Sequence, residues 1–164
     1  MPARPFGRWG DRVYGGLGLL GGLVLAVLTG AVFLQVALRY AFRTGFEGLD
    51  EVPRYLFVWL VMIGAAAAMH RGEHTMLDYF VNRLGHRGQA LIRVVTTAAG
   101  MALFLAMIKV SFVLVPNAQL QSSPGLGLRL GWVYAAVPVG AVLILLPMAW
   151  NLAVALRALW PKRS

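Results

Sequence analysis

Four apolar runs, each long enough to cross a bilayer as a helix, set the terms on which this sequence can fold. They cover about residues 13–37, 52–69, 91–115 and 132–156, and none of them contains an acidic residue. A hydrocarbon core of about 30 Å needs roughly 20 helical residues. Backbone groups in lipid must be hydrogen-bonded within their own segment or within a closed barrel. The runs therefore predict an all-α integral membrane protein with four transmembrane helices, and residues 1–164 read as a single membrane domain. The first run is too long for the apolar region of a cleaved signal peptide and has no small-x-small cleavage site after it, so it is expected to stay attached.

Composition narrows the function. Hydrophobic residues make up 59% of the chain and charged residues 13%, and the mean hydropathy is +0.71. A net charge of +9 would suit nucleic acid if the cations shared a water-facing surface, but here they lie between apolar runs, which excludes that partner. The absence of cysteine removes disulfides, zinc–thiolate sites, iron–sulfur clusters and thiol nucleophiles together. Short loops leave no soluble domain to house an ordinary active site, so the chain reads as a non-enzyme.

The cations instead report topology. The N-terminal arm, the loop between the second and third runs, and the C-terminal tail hold ten: Arg4, Arg8, Arg12, Arg71, Arg83, Arg87, Arg93, Arg157, Lys162 and Arg163. The other side holds Arg39, Arg43, Arg54 and Arg129, or five with Lys109 snorkelling outward. Basic short loops stay in the cytoplasm, so both termini are expected there. Within the middle loop Met76, Leu77, Phe80, Val81 and Leu84 recur at helical spacing, with Asp78, Asn82 and Arg83 largely opposite. That pattern predicts a short in-plane amphipathic helix over about residues 75–84. The outer loop from Pro116 to Gly131, rich in Gln, Ser, Pro and Gly, is expected to be irregular with an apolar end at Leu126, Leu128 and Leu130.

Several residue patterns are candidates for specific contacts. Gly18, Gly22, Ala26 and Gly30 form a ridge of small side chains at four-residue spacing in the first run, and Ala98, Ala102 and Ala106 repeat it in the third. Such ridges let helix backbones approach closely, within this chain or against another subunit. Pro138 and Pro147 predict bends in the fourth run. His70 and His74 have the spacing of a helical metal pair, but Gly72 separates them and no carboxylate–histidine motif surrounds them, so no metal site is expected. Asp50, Glu51 and Arg54 gather beside Arg39 and Arg43, either as a solvated cluster opening a helix or as a specific polar contact. Ion-coupled transport uses ionisable residues and broken helices deep in the membrane. Spans without them argue against a pump or channel working alone.

The order of these residues also resembles a known family. Arg39-Tyr40, then Leu49-Asp50-Glu51-Val52-Pro53-Arg54-Tyr55-Leu56, then Trp59, Gly64-Ala65-Ala66, Arg71-Gly72 and His74 followed by Asp78 is similar to the small permease subunit of tripartite ATP-independent periplasmic (TRAP) transporters. Trp132-Val133-Tyr134 and Pro138-Val139-Gly140 extend the likeness into the last helix. The resemblance implies a small subunit that braces a large permease subunit and helps a periplasmic binding protein to dock. It also implies sodium-coupled uptake of an organic solute, usually a carboxylate, with sodium and solute held by the large subunit and no cofactor here. On that view Arg39, Asp50, Glu51, Arg54, Trp59, His74 and Asp78 make structural or subunit contacts, and Gly18, Gly22, Ala26, Gly30 and Gly64 pack helices. The alternative is a membrane-anchor subunit of a respiratory oxidoreductase, which requires histidines deep in two spans. A self-sufficient small exporter would require a central acidic residue. Neither feature is present in the four runs.

Overall fold

A computed structural model describes residues 7–42, 48–71 and 86–159. The chain forms α1 (Gly7–Phe42), α2 (Glu51–Arg71), α3 (His86–Gln119), a single turn α4 (Gly131–Tyr134) and α5 (Ala136–Leu159). Each of the four apolar runs lies inside one of the long helical stretches, and four helices are long and apolar enough to cross a membrane. Among the described residues the only extended pairing is an isolated antiparallel bridge between Ser122 and Arg129. The expected in-plane helix over residues 75–84, with His74 and Asp78, lies outside the described residues.

The helices do not close into a four-cornered bundle. α1 packs on α2, α2 on α5 and α5 on α3, while α1 and α3 make no backbone approach to each other among the described residues. The spatial order is therefore a row, α1–α2–α5–α3, with the short α4 wedged where α2, α3 and α5 meet. The central helices bury 28% of their apolar windows and the edge helices only 6%. Lipid tails are as apolar as leucine, so close packing rather than hydrophobic burial decides which helices adhere.

Small and pliant side chains make the central contacts. Ala66, Ala136 and Ala141 are wholly buried, and Met62, Met69 and Met148 fill the gaps around Tyr14 and Ile144. A Cβ on Gly140 would lie 2.5 Å from that of Met62, and one on Gly100 would lie 2.6 Å from the Met148 methyl. These glycines set the α2–α5 and α3–α5 approaches. The ridge expected on α1 is placed differently along its length. Gly18 faces Arg71, with a Cβ there falling 3.1 Å from a guanidinium nitrogen, whereas Gly22 and Gly30 have open space above them and Ala26 is exposed. Gly64 likewise faces outward.

The prolines act as their chemistry requires. Pro138 has no N–H to offer the Tyr134 carbonyl, and the last helical stretch is interrupted at Ala135, between α4 and α5. Pro147 lies inside α5 and is fully buried. The loop after the third run is shorter and more ordered than expected: α3 continues through Pro116 to Gln119, and Ala118 is buried. In α3 the Thr96 and Ser111 hydroxyls donate to the carbonyls of Ile92 and Met107, four residues earlier, which satisfies them without water.

Candidate functional site

Two polar locks hold the row, one at each end of α2. The first is built on Glu51, the opening residue of α2, where the unpaired N–H groups of the first turn favour a carboxylate. Glu51 is only 7% exposed. Its carboxylate accepts hydrogen bonds from the Ser123 hydroxyl and from the Gly125 and Leu126 N–H groups, the latter two at 3.2 Å. The donors belong to a compact hairpin between α3 and α4. There the Ser123 N–H donates to the Leu128 carbonyl at 2.9 Å, and the Gly127 N–H to the Ser123 carbonyl at 3.0 Å. The Leu130 N–H donates to the Gln121 carbonyl, also at 3.0 Å. Gly127 turns the hairpin at φ +64°, a conformation that side chains with a Cβ disfavour. Gly48 lets the α1–α2 turn come close, since a Cβ there would lie 3.2 Å from the Gly125 carbonyl oxygen.

The neighbouring charges play no part in this lock. Arg39, Asp50 and Arg54 are exposed. Among the described residues the Glu51 carboxylate is satisfied by the hairpin rather than by pairing with Arg39 or Arg54. Trp59, two turns into α2, is half-buried against the core.

The second lock joins α1, α2 and α5. His70, buried near the end of α2, places Nε2 3.1 Å from an Asp11 carboxylate oxygen. Its ring stacks on Tyr14 with centroids 4.3 Å apart and planes 5° from parallel. The Tyr14 hydroxyl then donates to the Leu143 carbonyl at 2.9 Å. That carbonyl is the one whose helical donor Pro147 removes, four residues on. In a medium without water a freed carbonyl needs a partner, and a side chain from α1 reaches across to supply one. Asp11 and Tyr14 sit three apart and so share a helix face. His70 thus serves a packing cluster, and no group of three or more metal-ligating side chains occurs among the described residues.

Sequence reasoning isolated Glu51 and His70 but not their partners. Ser123, Gly125 and Leu126 stand 72 or more residues from Glu51, and no local pattern marks them beyond a Ser-Pro-Gly turn. Asp11 and Tyr14 could have been suspected from their spacing together with an intrahelical proline in need of a donor.

The later part of α1, all of α2, α3 and α4, and nearly all of α5 lie within a family match. Residues 28–158 match the model of the tripartite ATP-independent periplasmic transporters, DctQ component. The chain belongs to the DctQ family. Among its relatives is a Haemophilus influenzae protein whose name assigns it, by inference, to the TRAP transporter small permeases. It is 31% identical over 121 residues, which is 74% of this chain and 75% of the relative. The C4-dicarboxylate TRAP transporter small permease protein DctQ of Rhodobacter capsulatus is 35% identical over 98 residues, 58% of this chain and 43% of that protein. A longer relative, the sialic acid TRAP transporter permease protein SiaT of Haemophilus influenzae, is 22% identical over 126 residues. That match covers 77% of this chain but only 20% of SiaT. The DctQ match includes every member of the Glu51 lock, whereas Asp11 and Tyr14 precede it. The chain is thus a multi-pass membrane protein related to transporter subunits, and the oxidoreductase-anchor reading is not favoured.

Proposed function

We propose that this chain is the small membrane subunit of a sodium-coupled, binding-protein-dependent TRAP transporter that takes up a carboxylate-bearing organic solute. In this role it scaffolds the large permease subunit, which holds the sodium and solute sites. The observation that carries the reading is the open row of four helices: its edge helices bury almost nothing of themselves within the chain, yet it matches the DctQ component over residues 28–158. A protein that leaves Gly22, Ala26 and Gly30 uncovered along α1 has a close-packing face available for a larger partner. The four apolar runs carry no acidic residue, which supports ion coupling by that partner. The relatives' names, C4-dicarboxylate and sialic acid, support a carboxylate solute.

The basic ends support cytoplasmic termini in a bacterial inner membrane, and in that orientation the Glu51 lock faces the periplasm. There the exposed Asp50 and Arg54 offer charges to the binding protein, while Glu51 itself is occupied in holding the two outer loops together. Uptake into proteoliposomes holding the chain, its large subunit and the binding protein tests this. An inward sodium gradient should drive accumulation, and omitting the chain should abolish it. Equal uptake without sodium or without the chain contradicts the reading.

A further inference from the structure

The hairpin between α3 and α4 has a polar composition but a largely hydrogen-bonded backbone. Its sequence from Gln121 to Gly127 holds Gln, two Ser, Pro and two Gly, which in an aqueous loop would leave many backbone groups to water. Here most of the N–H groups are bonded internally. The N–H groups of Leu120, Gln121, Ser123, Gly127 and Leu130 donate to carbonyls of the α3 end or the hairpin. Those of Gly125 and Leu126 donate to the Glu51 carboxylate, and Pro124 has none to place. Ser123, whose hydroxyl also bonds Glu51, is buried.

The same segment turns large apolar side chains outward. Leu120 is 88% exposed, Leu128 50% and Trp132 68%. On the last turns of α3, Phe112 and Val113 also face out. A water-facing loop does not require this pairing of largely bonded backbone with projecting leucine. In lipid it is what the medium demands, because unsatisfied N–H groups are costly there and apolar side chains are not. Exposed Arg129 has a stem long enough to snorkel to the headgroups, and a tryptophan such as Trp132 favours that depth.

We infer that the α3–α4 hairpin is a shallow wedge seated in the outer lipid leaflet, with Leu120, Leu128 and Trp132 in contact with acyl chains and the Glu51 carboxylate neutralising its loop N–H groups. The orientation rests on the functional reading above; the lipid contact does not, and its test is independent of transport. The wedge fixes the height and tilt of α3 and α5 at the surface where the outer loops meet, and it removes the leucines from the area open to a soluble partner.

The chain contains no cysteine, so single labels can be placed cleanly. Nitroxides at Leu120→Cys and Leu128→Cys, with Asp50→Cys as the water-facing reference, are read in proteoliposomes of the full complex by collision with oxygen and with a nickel chelate. The oxygen-to-nickel collision ratio is expected to be several-fold higher at the two leucine positions than at Asp50. Adding the binding protein should leave it unchanged. A ratio like that of Asp50 overturns the proposal. So does a water-like ratio that becomes protected when the binding protein is added, which makes the leucines a docking surface, and so does occlusion from both probes, which places them against another subunit. Combining Leu128→Cys with Glu51→Ala removes the acceptor of the Gly125 N–H and one of the two acceptors of the Leu126 N–H, and should shift the label toward water. An unchanged ratio in that variant overturns the role given to the carboxylate.

Discussion

Glu51 and Tyr14 each supply a partner that a backbone group lacks. Glu51 serves the Gly125 and Leu126 N–H groups at the tip of a loop, the second of which also reaches the Ser123 hydroxyl oxygen. Tyr14 serves one carbonyl stripped of its helical donor by Pro147. The second relationship can be tested by a double-mutant cycle. Tyr14→Phe should cost about 1 kcal/mol in detergent-solubilised stability, the usual worth of one hydrogen bond. In a Pro147→Ala background position 147 regains its N–H, so the same change should cost distinctly less. Equal costs in both backgrounds would show that the hydroxyl does not answer the proline. Glu51→Ala should loosen the hairpin and speed amide exchange at Gly125 and Leu126, while Arg54→Ala, whose side chain takes no part in the lock, should not. Exchange that rises equally in both would contradict the assignment. At this scale the sequence was half legible. An acidic pair opening an apolar run marked Glu51, but its partners are fixed by tertiary contact across 72 to 75 residues and leave no local trace.

Glycines divide at the scale of helices into those that set contacts within the chain and those that do not. Gly140 presses on Met62, so Gly140→Val should overpack the α2–α5 seam and destabilise the isolated chain by about 1–3 kcal/mol. Gly22 has open space above it. Gly22→Leu should leave the isolated chain's melting temperature unchanged and weaken its association with the large subunit. A fall in melting temperature for Gly22→Leu, with association intact, would mean that the α1 ridge packs internally. Four-residue spacing in the sequence shows that a ridge exists but not which way it faces, because an apolar helix in lipid has no polar side to orient it. The same uniformity explains why Gly100 and Gly140, which lie in no regular ridge, do not read as packing positions in the sequence while Gly22, Ala26 and Gly30 do.

At the scale of the molecule, helix number and class were legible because the bilayer imposes them on any sequence. The row was not, since hydropathy is silent on which apolar helices touch. A row has consequences that a bundle lacks. At about 1.5 Å per residue the 36 residues of α1 reach about 54 Å, against a hydrocarbon core of about 30 Å. The edge helices must therefore tilt or project beyond the core. A thin layer of tilted helices with most of its surface open is suited to lie against a larger body, the role that the proposed function gives to the large permease subunit. The most direct measurement is mild-detergent purification of the tagged chain from its native membranes, with mass spectrometry of the partners and a visible spectrum of the same sample. The predicted result is a colourless complex with one large multi-span protein in constant ratio. Recovery of the chain alone, or with a flavin- or iron–sulfur-bearing partner and a Soret band, would contradict the account.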